Sequence, residues 1–176
     1  MRARYTSSIG LPVLDEQTGV CLGTIGGILL NPDTGAVEGF FLRMQGFLSR
    51  DDIFLRAVDI LHWGLRVSVR SADVLTPAED IIRLQPLLIG SRPVLGQCML
   101  TQSGKVLGRC VDVQFSTKTF RMEWLFPRRW FRTGLPVPVT QIVDVRSDAI
   151  VLRDEIISAK EDEEVIPLIP QVPEAA

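Results

Sequence analysis

The sequence predicts an all-β protein, built as two tandem copies of one small strand-rich domain that are joined by a short helix and followed by an acidic tail. Three observations predict it. Residues 13 to 41 return as residues 98 to 126, an offset of 85 positions with no gap. Each copy carries the turn residues of consecutive β-hairpins. Beyond Arg153 the composition switches to acidic and proline-rich.

In the repeat, Gln17, Gly19, Leu22, Gly23, Thr34, Glu38 and Phe41 meet Gln102, Gly104, Leu107, Gly108, Thr119, Glu123 and Phe126. Between these identities apolar positions stay apolar, as in Leu14 with Met99, Ile28 with Val113 and Val37 with Met122. A fixed long offset with matching glycines marks a duplicated domain rather than a short solenoid repeat. Within a copy, Gly19 suits the positive φ of a tight turn, and the alternation after it suits a half-buried strand. Gly23 then falls inside that strand, where a glycine is favoured only if the backbone bends or is closely approached. The stretch Asn31-Pro32-Asp33-Thr34-Gly35 is a strong turn, and Val37 to Met44 is the returning strand.

The order Gly10-Leu11-Pro12-Val13, Gly19-Val20-Cys21-Leu22-Gly23-Thr24-Ile25 and Asn31-Pro32-Asp33-Thr34-Gly35 resembles the PRC-barrel family. The second copy is similar through Gly90-Ser91-Arg92-Pro93-Val94, Gly104-Lys105-Val106-Leu107-Gly108 and Ile142-Val143-Asp144-Val145. It departs at Phe115 to Phe120, which lacks the proline and glycine of the first turn. The resemblance implies two tandem small β-barrels and non-catalytic roles. PRC-barrels occur in the reaction-centre H subunit and in a ribosome maturation factor, and neither role transfers by fold alone. The expected layout is a first PRC-barrel-like domain over 1–75, a linker helix over 76–87, a second such domain over 88–155 and a tail over 156–176.

At 176 residues each copy is near the lower end of self-sufficient size, so the two are expected to lean on each other. No stretch approaches the ~18 apolar residues of a spanning helix, and Met1 to Ser8 lacks the apolar core of a secretory signal. A cytoplasmic protein without a membrane span is the expectation. The net charge of −2 argues against a chain that coats nucleic acid over its whole surface. Cys21, Cys98 and Cys110 show no metal-ligand spacing, and each occupies a slot that is aliphatic in the other copy. They read as small buried hydrophobes, and neither metal nor cofactor is expected.

Ser49 to Arg56 fits either the start of a helical turn or the lead into a strand, and its local pattern leaves both open. Val58 to Val69 reads as two short strands about a bend. His62, the single histidine, has Asp59 near it in sequence but no serine or cysteine that resembles an activated nucleophile. No catalytic residue is assigned. Thr76-Pro77-Ala78-Glu79 has the form of a capping box with proline at the first helical position, which predicts a helix that Pro86 stops. The last strands are expected at Val137 to Val139, Ile142 to Val145 and Ala149 to Leu152.

One constellation has a chemical flavour. From Lys105 to Arg132, seven basic residues face only Asp112 and Glu123, a local charge of +5, with Phe115, Phe120, Trp124, Phe126, Trp130 and Phe131 among them. Arginine forks grip carboxylates or phosphates, and exposed aromatics stack on bases or anchor a protein. The candidate partner-binding residues are Arg121, Arg128, Arg129, Trp130, Phe131 and Arg132. Three readings stay open for this region: a solvated loop, a contact for an acidic protein surface, and an RNA contact. At the level of the protein they give a non-catalytic protein-binding or assembly module, with a ribosome maturation or RNA-processing factor acting on rRNA or a ribosomal protein as the alternative. An enzyme would need a pocket around His62. A second copy of the chain is a further partner the sequence allows. From Asp154 to Ala176 the charge is −6, and Pro167, Pro170 and Pro173 favour extended backbone, which predicts a disordered tail.

Overall fold

The structure, a computed structural model, describes residues 1–44, 53–90, 92–130 and 132–155. The tail, Phe131 and the stretch from Ser49 to Asp52 lie outside the described residues. The protein is mostly β, with a sheet curled into a half-barrel. Among the described residues no helix is long and apolar enough to cross a membrane.

The chain opens with β1 (Arg2–Arg4) and a single helical turn, α1 (Tyr5–Ser8). Seven strands follow: β2 (Pro12–Asp15), β3 (Cys21–Leu30), β4 (Val37–Arg43), β5 (Ile53–Arg56), β6 (Ile60–Trp63), β7 (Val67–Val69) and β8 (Leu75–Pro77). They form one sheet in the order β6-β7-β2-β3-β4-β5-β8. After α2 (Gln85–Ile89) come β9 (Cys98–Thr101), β10 (Val106–Ser116), β11 (Met122–Arg129), β12 (Arg132–Thr133), β13 (Val137–Pro138), β14 (Ile142–Val145) and β15 (Ala149–Leu152). Their sheet runs β12-β11-β10-β9-β15-β14, with β13 beside β11 and β1 beside β10. The path β14-β15-β9-β10-β11-β13 repeats β6-β7-β2-β3-β4-β5 strand for strand, including the parallel pairs β2 with β7 and β9 with β15.

The repeat extends to backbone detail. Gly19 and Gly104 have φ of 71° and 87° at the hairpin turns, as their position requires. A Cβ on Gly23 would lie 2.8 Å from the Arg43 carbonyl oxygen, and one on Gly108 would lie 2.7 Å from that of Arg128. Arg43 and Arg128 are themselves 85 positions apart. The glycine inside each long strand thus answers a close approach by the neighbouring strand.

The second copy keeps the β3–β4 turn although it lacks the proline and glycine. Ser116 replaces Asn31 as the turn's side-chain acceptor: its Oγ accepts from the N–H groups of Lys118 and Thr119, as Asn31 Oδ1 accepts from Asp33 and Thr34. Phe120 takes the left-handed backbone, φ 47°, where the first copy has Gly35 at 69°. Aromatic packing holds it there. Phe120 meets Phe40, Trp63 and Phe115 with ring centroids 6.0 to 6.4 Å apart.

The two copies meet about these turns. Val37 donates its N–H to the Phe120 carbonyl at 2.7 Å, and Met122 donates to the Gly35 carbonyl at 2.8 Å. Both residue pairs are related by the repeat offset, so the contact is a local two-fold within one chain. The cores also interpenetrate: Phe115 is buried with Val13, Ile25, Phe40 and Leu42, while Leu30, its counterpart, packs both on that cluster and on the cluster of Met99, Val113 and Leu125.

Three expectations need correction. The segment read as a helix from Thr76 is not one. Thr76 pairs with Phe54 in the β5–β8 ladder, two 3-10 turns follow (Ala78–Asp80 and Ile82–Leu84), and α2 begins where Pro86 was expected to end it. A proline lacks only an N–H that the first helical turn leaves unpaired, so it starts a helix as readily as it stops one. The cysteines are not uniformly buried: Cys110 is, Cys98 is half-buried and Cys21 is exposed at the start of β3. Residues 2–4, placed by sequence with the first copy, pair with β10 of the second.

Candidate partner-binding hairpin

The constellation read between Lys105 and Arg132 separates in space. Asp112 is buried and binds the amino-terminal arm: Thr6 donates both its N–H and its Oγ1 to the carboxylate at 3.0 and 2.6 Å, and Arg4 Nε stands 3.2 Å away. Glu123 pairs with Arg2. Phe126 is buried beneath the Arg4 guanidinium, 3.7 Å from the ring centroid, and Trp124 is half-buried. Phe115 and Phe120 belong to the aromatic cluster between the copies. Of the aromatics interleaved with these arginines, only Trp130 is open to solvent among the described residues, at 85% exposure.

Arg121 also leaves the group. It precedes β11, whereas Arg128 and Arg129 end that strand, up to about 25 Å further along at roughly 3.3 Å per residue. Its Nη1 donates to the Thr34 carbonyl at 2.9 Å, which makes it a clasp between the copies.

Arg128, Arg129, Trp130 and Arg132 remain together on the β11–β12 hairpin. Arg128 pairs with Thr133 and Arg129 with Arg132, so the loop has only two residues. A two-residue hairpin loop favours primed turns with positive φ, and Trp130 adopts φ 54°. That conformation is uncommon for a bulky side chain, and here it carries the ring outward. Arg129 and Arg132 face each other across the ladder, where like charges repel. Among the described residues neither they nor Arg128 enters an ion pair or a side-chain hydrogen bond. The tip therefore holds concentrated positive charge beside a bare indole, an arrangement that a carboxylate-bearing surface relieves.

Lys105, which the sequence already grouped with these arginines, and Val106, which it did not, lie at the start of β10 on the hairpin's side of the sheet. Arg109 pairs with Arg128, which brings the β9–β10 turn level with the hairpin. Both residues are exposed. The antiparallel register of β10 with β11 was the signal that would have added Val106.

His62 lies elsewhere, on the edge strand β6. Its Nε2 stands 3.8 Å from Glu16 Oε1, with 74% of the His62 side chain exposed, over an open depression of about 730 Å³ that Trp63, Leu65 and Arg66 also line. Ser68, opposite His62 in the β6–β7 ladder, forms no side-chain hydrogen bond with it. The two side chains make an exposed polar contact at the surface.

No family model matches the chain, and no curated protein matches it either.

Proposed function

We propose that the protein is a non-catalytic binding or assembly module of two PRC-barrel-like domains, acting in the cytoplasm, whose arginine hairpin grips an acidic surface on a protein partner. The duplicated strand order supports the tandem-barrel part. The observation that carries the functional part is the tip itself: Arg129 opposite Arg132 without a counterion among the described residues, beside an 85% exposed Trp130. Arginine forks bind carboxylates in pairs, and tryptophan with arginine forms the usual energetic centre of an interface.

Immobilised full chain is expected to retain an acidic protein from lysate of the source organism, with retention insensitive to ribonuclease. The identified protein, once purified, should bind wild type directly and bind Trp130→Gly and Arg129→Gln at least tenfold more weakly, a change of about 1.4 kcal/mol or more. Retention that ribonuclease abolishes, with a steep salt slope in binding to an rRNA fragment, would replace this function with RNA processing. Equal binding by all three proteins would remove the hairpin from the interface.

A further inference from the structure

The last described residues leave the fold beside the hairpin. β15 runs parallel to β9, with Leu152 opposite Thr101, so it ends at the same edge where β9 turns into β10. Asp154 is fastened there: its Oδ1 accepts from the Ser103 N–H at 2.9 Å and from Ser103 Oγ at 2.8 Å. Between this anchor and β11 lie only β9 and β10. Three strand spacings of about 4.8 Å place the exit roughly 14 Å from the hairpin across the sheet.

The chain that follows carries its charge in one block, Glu161-Asp162-Glu163-Glu164, with the apolar Val165 and Ile166 directly behind. Seven to ten residues separate these acids from Asp154, and at about 3.3 Å per residue their reach is roughly 23 to 33 Å, more than the span. The block offers four carboxylates to a tip whose arginines repel each other, and Val165 and Ile166 offer apolar contact to Trp130. A tethered segment of matched length acts at an effective concentration in the millimolar range, so even a weak pairing is populated.

We infer that Glu161 to Glu164 occupy the arginine hairpin of their own chain and compete with its acidic partner. This rests on the hairpin being an acidic-surface site. The tail then sets a threshold: a partner must be more acidic, or better shaped to Trp130, than the chain's own segment.

The test uses the full chain, wild type against Glu161→Gln, Asp162→Asn, Glu163→Gln and Glu164→Gln combined, with synthetic hexaglutamate as probe. The Trp130 indole N–H resonance, assigned by its loss in Trp130→Gly, is expected to differ between the two chains at low salt. Half-molar NaCl should move it only in wild type, and the neutralised chain should bind hexaglutamate about tenfold more tightly. Identical indole positions and equal probe affinities overturn the inference but leave the hairpin a binding site. A resonance that moves on neutralisation, in chains that both ignore the probe, supports the tail contact and counts against the acidic-partner function.

Discussion

The two strand glycines show how one residue type is dictated by its neighbour. Gly23 and Gly108 have φ of 153° and 135°, and each presses its α-carbon against an opposing carbonyl. A methyl group at either site meets backbone, which cannot rotate away. Gly108→Ala and Gly23→Ala are each expected to cost about 2 to 4 kcal/mol, seen as a lower urea midpoint at unchanged slope. Cys110 gives a second prediction at this scale. Burial pushes its thiol up to about 12, against an ordinary value near 9. Its raised folded value means that the Cys110 contribution to stability is flat below about pH 9 and falls between pH 9 and 12, because the unfolded thiol ionises first. Alkylation at pH 8 should label Cys21 quickly and Cys110 only after unfolding. These glycines were legible in the sequence because a glycine weakens a strand interior unless the backbone there bends or is closely approached. The left-handed Phe120 was not, since only the aromatic cluster assembled by the fold makes that backbone tolerable.

Elements were legible where their hydrogen-bonding partners are close in the sequence. The hairpins of both copies follow from turn residues a few positions apart, while β1 and the linker were decided by segments more than 20 residues away. Thr76 carries a helix-capping pattern, yet the open edge of β5 draws it into a ladder, which satisfies backbone groups that a short helix would leave unpaired. Likewise nothing local to Arg2–Arg4 shows that β10 outruns β9 and leaves an edge to be covered. Asp112 fixes that arm through Thr6 and Arg4, so Asp112→Leu should speed amide exchange over residues 2–8 by at least tenfold while the β10–β11 amides stay protected. The binding hairpin behaves in the opposite way. Its tip contributes contact surface rather than core, and glycine accepts positive φ without strain, so Trp130→Gly should leave thermal stability unchanged or raise it by up to about 1 kcal/mol. A loss of partner binding in that variant then reports on the interface alone.

At the scale of the molecule, the sequence announced a duplication but not how the halves join. The turns that close β3 onto β4 and β10 onto β11 hydrogen-bond to each other across the local two-fold, and Arg121 and the Arg92–Asp33 pair bridge the same boundary. Phe115 belongs to the second copy by sequence and to the first copy's core by position, with Phe40 5.9 Å and Trp63 5.4 Å away between ring centroids. Neither core is complete without the other half, so the copies should unfold together even though each repeats the other's strand order. Calorimetry is expected to show one transition whose calorimetric and van't Hoff enthalpies agree. Phe115→Ala should lower stability by about 3 to 5 kcal/mol and shift probes in both halves, Trp63 fluorescence and Cys110 labelling, to the same new midpoint. Two separable transitions, or a Phe115→Ala chain in which Cys110 keeps its wild-type protection, would show that Phe115 and Leu30 decorate the boundary without coupling the halves.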